Sequence, residues 1–271
     1  MRYRKGSIVL NQTCDYPLLR QVLHSELVTH RQLFELLRLD YCVSSRNAFN
    51  NRVLRLVRHG LLKRHDLLFS NLDVVYSISK TGAAELSGDG QHSVHWLDTK
   101  NSRTAHSGLH HSLELNEIHL SLKRTGCLVY WMPEIEIRSR NDLTNNGYWK
   151  YYDAIVEVRL AGQNCKFALE YERTPKSARQ YVAIRERIEQ ETSINHFLYL
   201  VPDHNLMNFL ASRFADCKRA VYLGLLRDFL QETLFSSVRR CGAPISVQFA
   251  SVLGNCKTMP RPGSLFPGIA V

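Results

Sequence analysis

The chain has 271 residues, a formal net charge of +10 at neutral pH, 44% hydrophobic and 22% charged residues. That length suits two domains with cores of their own and an ordinary globular composition, while the positive excess favours an anionic partner, nucleic acid before others. No apolar run approaches the roughly 20 residues of a membrane span, so no membrane partner is expected. The first basic residues are not followed by the apolar stretch of a signal peptide. Seven cysteines without a CxxC pair argue for a reducing cytoplasm and against a structural zinc site.

In chain order, residues 16–86 read as three helices, a hairpin and a further helix. Thr29 and Gln32 have capping-box spacing, and Leu33, Leu36 and Leu37 follow as an apolar stripe. Ser44 or Ser45 caps the next helix, which runs to His59 and stops at Gly60, a residue suited to the left-handed position after a helix. Phe49, Val53, Leu56 and Val57 share one face of that helix. Asn47, Asn51, Arg55 and Arg58 share the other, with Leu54 interrupting them. Asn pairs bidentately with adenine and Arg with guanine in the major groove, so this face carries base-reading chemistry. Arg46, Arg52, Arg55, Arg58, Lys63 and Arg64 follow one another with no acid between them, a run that neutralises phosphates and makes binding depend on salt. Residues 61–65 and 74–78 form the hairpin, and Ser79-Lys80-Thr81-Gly82-Ala83 opens the next helix.

This stretch resembles the winged helix-turn-helix family, whose wing ends in a strand followed by a Thr-Gly helix start. The resemblance implies a double-stranded DNA partner contacted through Arg46, Asn47, Asn51, Arg55, Arg58, Lys63 and Arg64. Winged helices also serve as dimerisation modules, so a homodimer is a possible state. A Gly- and Ser-rich linker follows at Ser87–Ser93. Residues 1–88 are thus expected as the DNA-binding domain, 89–254 as a second domain, and the Pro-rich residues 255–271 as a flexible tail.

In the second domain a helix over about 109–125 is apolar on two sides, the mark of a buried helix, with Glu117 on the side of Leu113. A carboxylate there needs a partner or a ligand. The nearby histidines lack an HExxH frame and read as ordinary surface or core residues. A strand region at 128–137, bent at Pro133, precedes a polar loop at 141–149. Residues 152–158 and 165–172 then read as two strands joined by the turn Gly162-Gln163-Asn164. In the second of these, Ala168, Glu170 and Glu172 share a face, and pairing of the strands brings Asp153 beside Glu170. Acids so placed either sit on the wet side of a hairpin or need a cation or protons to hold them together. Mg²⁺ suits them, because it takes carboxylate oxygens, water and phosphate. Thr174-Pro175 starts a helix running to about Thr192, and the apolar run 195–201 reads as a buried central strand. Helices are expected at 206–218 and 222–234, with an edge strand at 245–249.

The order helix, three strands, helix, strand, with Asp153 on the second strand and Glu170-x-Glu172 on the third, resembles the PD-(D/E)xK restriction-nuclease-like fold. With the N-terminal winged helix, residues 25–201 more narrowly resemble the replication-relaxation family of plasmids and other mobile elements. The fold implied is α+β: an N-terminal winged helix-turn-helix, then a restriction-endonuclease-like α/β domain with C-terminal helices. By that resemblance Asp153 and Glu170 would bind Mg²⁺, with Glu117 as a possible third ligand. Two positions depart from the pattern: Tyr152 replaces the motif Pro, and Glu172 replaces the motif Lys. A Glu adds repulsion where the Lys would stabilise the developing negative charge. Lys176 or Lys150 would have to substitute, Glu172 would become an extra ligand, or the site would serve only fold and DNA contact. The function expected is double-stranded DNA binding in replication control or mobilisation of a plasmid or other mobile element. The alternative is a Mg²⁺-dependent DNA endonuclease using Asp153, Glu170, Glu172 and Lys176.

Overall fold

Three helices of the N-terminal half, those following Thr29, Ser45 and Ser79, start at a side chain that closes the first turn. The structure, a computed structural model, describes residues 8–65, 74–88, 105–144, 147–243 and 245–254. The expected tail at 255–271 and most of the expected linker lie outside these residues, although Ser87 and Gly88 still belong to a helix. The chain divides into two compact units, Met1–Leu120 and Ser121–Val271. That division falls inside the long helix predicted from its two apolar sides, where the linker composition places a boundary at residue 88.

In the first unit, α1 (Asp15–Ser25) is followed by β1 (Val28–Thr29), α2 (His30–Leu39), α3 (Arg46–Arg58), β2 (Leu62–His65), β3 (Val75–Ile78) and α4 (Lys80–Gly88). The Thr29–Gln32 capping box forms in full at the start of α2. At α3 the cap is Ser45, whose hydroxyl accepts from the Ala48 N–H at 3.4 Å, and Gly60 takes φ +70° just beyond the helix. The three strands pair antiparallel in the order β1-β3-β2. Leu18, Leu19, Val22, Leu33, Leu36, Phe49, Val53 and Leu56 are the buried faces of α1, α2 and α3. The Thr-Gly helix start has a steric reason. A Cβ on Gly82 would come within 2.2 Å of the Leu61 carbonyl oxygen, while Ser79 receives the Gly82 N–H at 2.9 Å to cap α4. The last helix of the unit, α5 (Ala105–Arg124), buries Leu109 and Leu113 with Val75 and Leu27.

The second unit is built on β4 (Leu128–Pro133), α6 (Glu134–Leu143), β5 (Ala154–Leu160), β6 (Gln163–Tyr171), α7 (Ala178–Gln190), β7 (His196–Val201), α8 (His204–Arg213), β8 (Ala220–Leu225), α9 (Leu226–Glu232), β9 (Ser237–Arg240), β10 (Ser246–Gln248) and α10 (Phe249–Gly254). Its seven-stranded sheet runs β10-β9-β8-β7-β6-β5-β4, parallel at β6/β7 and β7/β8 and antiparallel elsewhere. On one face, Ile155, Ala168, Phe197 and Tyr199 pack with Tyr181 and Ile188 of α7 and Leu210 of α8. On the other, Phe249 of α10 meets Phe167 edge-on at 5.0 Å between ring centroids. Both faces of the central strands are covered, as the apolar run at 195–201 requires.

Four expectations need correction. Ile135-Glu136-Ile137 is not strand: the chain leaves β4 at Pro133 and enters α6, with Glu134 and Glu136 in its first turn favoured by the helix dipole. Helix α7 starts at Ala178 behind a Ser177–Gln180 capping box rather than at Thr174-Pro175, so Lys176 precedes the helix. The expected helix at 222–234 is a strand and a short helix, β8 and α9. The C-terminal part is therefore mixed, with β8, β9 and β10 widening the sheet, and the edge strand near 245–249 is β10.

Candidate functional site

The polar face of α3 is presented outward within the first unit. Asn47, Asn51 and Arg58 are exposed along one line, and Arg46, Lys63 and Arg64 are exposed beside it. Leu54, 43% exposed, lies in the middle of that line. The Arg46 guanidinium stacks on the Phe34 ring at 4.5 Å from its centroid, which fixes its direction. Arg55 is the exception among the residues singled out on this face. Its guanidinium bonds the carboxylate of Asp15, which is fully buried at the start of α1, and Arg52 reaches the same carboxylate at 3.2 Å. Arg55 thus ties α3 to α1, and Asp15 is a partner that helical periodicity cannot reveal. The outward face offers amide donors and acceptors at Asn47 and Asn51 and a guanidinium at Arg58. That is the hydrogen-bonding repertoire for planar polar edges and anions.

Glu117 also has its place in the first unit. Its carboxylate accepts from Arg31 at 2.7 Å and from Gln32 at 2.8 Å, so this carboxylate, expected as a possible third metal ligand, is partnered within its own unit.

In the second unit β5 and β6 pair as a hairpin, but the turn is Ala161-Gly162, both at positive φ, and Gln163 and Asn164 of the expected turn already belong to β6. Ala154 pairs with Leu169, so in an antiparallel ladder Asp153 stands opposite Glu170. Asp153 accepts the Tyr171 N–H at 2.6 Å through Oδ2. Glu170 lies toward the carboxyl end of β6, facing the α7 and α8 side of the sheet, and pairs with Tyr199 of β7. The carboxyl ends of parallel strands are where sheets of this kind usually carry their sites. Two lysines complete the cluster. Lys150 donates to Glu170, both nearly buried at 11% and 8% exposure, and Lys176 donates to Glu172. The β6 ladder ends at Tyr171, but the Glu172 N–H still donates to the Leu200 carbonyl at 3.0 Å.

The electrostatics follow from burial. Glu170 is pushed up to about 7, chiefly by desolvation and further by Asp153, with Lys150 opposing the rise. Desolvation would lower the Lys176 amine, but the hydrogen bond and charge of Glu172, with the charge of Glu170, outweigh it and raise the group. Burial, followed by the charge of Glu170, drives the Tyr199 phenol well up. The hydroxyls of Tyr152 and Tyr199 are buried without a hydrogen-bond partner among the described residues.

The structure therefore brings Asp153, Glu170, Glu172 and Lys176 together and adds Lys150. A Mg²⁺ ion needs several free oxygen donors in octahedral array. Here Lys150 engages Glu170, Lys176 engages Glu172, and a backbone N–H engages Asp153. Among the described residues no group of three or more His, Cys, Asp or Glu is arranged to hold a metal ion. As arranged, these residues form an acid–lysine cluster in which each of the three carboxylates already has a donor, and not an open divalent-cation site. Among the described residues no helix is long and apolar enough to cross a membrane. No family model matches the chain, and no curated protein matches it.

Proposed function

We propose that the chain is a double-stranded DNA-binding protein acting in replication control or mobilisation of a plasmid or other mobile element. In this reading the first unit is a winged helix. Three helices, the antiparallel β1-β3-β2 sheet and the β2–β3 hairpin support that assignment. The observation that carries the reading is the outward stripe Asn47-Asn51-Arg58 on α3, flanked by exposed Arg46, Lys63 and Arg64. Amides and guanidinium groups on one exposed helix face suit major-groove edges, and the flanking cations suit phosphates. The six cysteines among the described residues are free thiols, in keeping with work in the cytoplasm. The link to mobile elements rests on the family resemblance. The second unit supports a nuclease-like assignment through its order β4-β5-β6-β7, with β7 parallel to β6 after the helix α7. Its role in this reading is scaffold and nucleic-acid contact. The test is selection of duplexes from a random pool, followed by binding of the Asn51→Ala and Arg58→Ala variants to the selected site.

A second reading, a Mg²⁺-dependent DNA endonuclease, is favoured by one observation: the hairpin register sets Asp153 beside Glu170. It requires Lys150 to release Glu170. Nicking of supercoiled plasmid in Mg²⁺ by the wild type, but not by an Asp153→Ala/Glu170→Ala variant, would establish it. Intact duplex binding without nicking supports the first reading.

A further inference from the structure

Between α6 and β5 the chain carries four aromatic residues, the outer two buried and the inner two exposed. Tyr148 and Tyr152 are buried, whereas Trp149 and Tyr151 stand out at 57% and 42% exposure. They bracket Lys150, whose amine turns inward to Glu170. Large aromatic rings left in water at such a density need a reason, because burial of either would be favourable.

The backbone that carries them is pinned at several points. Asn141 bonds both the N–H and the carbonyl of Tyr148 at 2.8 Å. The Trp149 N–H donates to the carboxylate of Glu191 at 3.2 Å, itself a buried residue at the end of α7. The Lys150 amine donates to the Tyr151 carbonyl at 3.3 Å. The rings are thus displayed on ordered backbone, which lowers the entropy lost when a ligand stacks on them.

The charges around the rings select the ligand. The Arg138 guanidinium, held by the Glu134 carboxylate, lies over the Tyr151 ring, 4.6 Å from its centroid, and backs that ring with a second flat group. Beyond β6, Arg173, Lys176, Arg179 and Arg185 follow one another with no acid between them. Glu170 and Glu172 are each paired with a lysine and Glu134 with Arg138, so attraction for phosphates is assigned to Arg179 and Arg185 on α7. Flat rings beside fixed cations match the two components of a nucleic-acid strand, bases that stack and phosphates that need neutralising. Bases inside a duplex are stacked on one another, so only an opened strand can use Trp149 and Tyr151.

We propose that Trp149 and Tyr151 form a stacking platform for single-stranded DNA, with Lys150 and Arg138 fixing the rings and Arg179 and Arg185 of α7 contacting phosphates. The ligand class rests on the nucleic-acid reading above, but the strand state and the residues are distinct from the duplex reader on α3. The platform gives the second unit a binding role that does not depend on cleavage.

The experiment uses the full chain with two probes, labelled oligothymidylate and a labelled duplex, in one buffer. The wild type should bind oligothymidylate and quench its tryptophan fluorescence, and that quench should be lost in Trp149→Phe. Trp149→Ala/Tyr151→Ala should weaken oligothymidylate about tenfold or more and leave duplex affinity within about twofold, as expected if the base-reading residues are those of α3 alone. Trp149→Phe/Tyr151→Phe, which keeps two flat rings, should retain most of the single-strand affinity. The proposal is overturned if the wild type ignores oligothymidylate, if the alanine pair binds it as the wild type does, or if duplex binding falls equally. Failure of the α3 reading has a different signature: Asn51→Ala and Arg58→Ala would leave duplex affinity unchanged whatever oligothymidylate does.

Discussion

Lys150 and Glu170, twenty positions apart in the chain, meet as a nearly buried ion pair at the carboxyl end of β6. The lysine comes from the segment before β5 and not from the position two residues after Glu170, where Glu172 stands just beyond β6. A positive charge is therefore present beside the glutamate but supplied from a different backbone site.

That pair makes stability depend on pH in a definite direction. Burial, then Asp153, raises the Glu170 carboxyl from its ordinary value near 4.5 to about 7. Between those values the folded protein holds the proton more tightly than the unfolded chain does. Its contribution to stability accordingly falls as pH rises through that window and levels off above it. Urea unfolding from pH 5 to 8 should show the wild type losing stability relative to Glu170→Gln, by on the order of 1–3 kcal/mol across the range. A constant difference between the two proteins at all pH values would show that Glu170 does not titrate there.

The ties of Arg55 separate stability from recognition on α3. Arg55→Ala removes one of the two arginines holding the buried Asp15 carboxylate and should cost about 1–2 kcal/mol in unfolding free energy. Its effect on duplex affinity should stay below about threefold, because the guanidinium is held by Asp15. Chemical denaturation and duplex titration of the same variant check both halves.

Gly82 is required by packing. Its missing Cβ leaves room for the Leu61 carbonyl oxygen, which an alanine would meet at 2.2 Å. Gly82→Ala should destabilise the first unit by about 2–3 kcal/mol, the range for overpacking against backbone, and lower its unfolding midpoint. An unchanged midpoint would mean that α4 can shift away from β2 without loss.

Much of this arrangement was legible in the residues, and what was not has physical causes. The Asp153–Glu170 juxtaposition follows from period-two alternation and from the Gly162 turn, with Gly162 at φ +81°, because a hairpin fixes register locally. The cap at Thr29, and the one at Ser44 or Ser45, are legible for the same reason, since a cap's partner lies three residues away; the structure selects Ser45. Ile135-Glu136-Ile137 alternates like a strand over too short a span to distinguish the periods, and so hides helix α6. Residues 220–229 form a nearly continuous apolar run, in which β8 and α9 share one composition. Arg55 lies on the outward side of an ideal helical projection, yet it is drawn to Asp15, forty residues earlier. No local pattern encodes such a partner. The apolar helix shows that Glu117 needs a partner or a ligand, but not that the partners are Arg31 and Gln32 of α2.

Salt dependence tests the phosphate contribution independently of base reading. If Lys63 and Arg64 on the hairpin and Arg46 on α3 neutralise phosphates, the logarithm of duplex affinity should fall linearly with the logarithm of salt concentration. Lys63→Ala should reduce that slope by about one and weaken all duplex sequences alike. A slope unchanged by the substitution would remove Lys63 from the interface.

Duplex binding by the α3 stripe is the claim on which the account turns, and titration of one selected site with Asn51→Ala/Arg58→Ala measures it most directly. The account predicts a loss of about 1–3 kcal/mol for each side chain, with relaxed discrimination between the selected site and an unrelated duplex. Wild-type affinity and discrimination in that variant, with the fold intact, would contradict it.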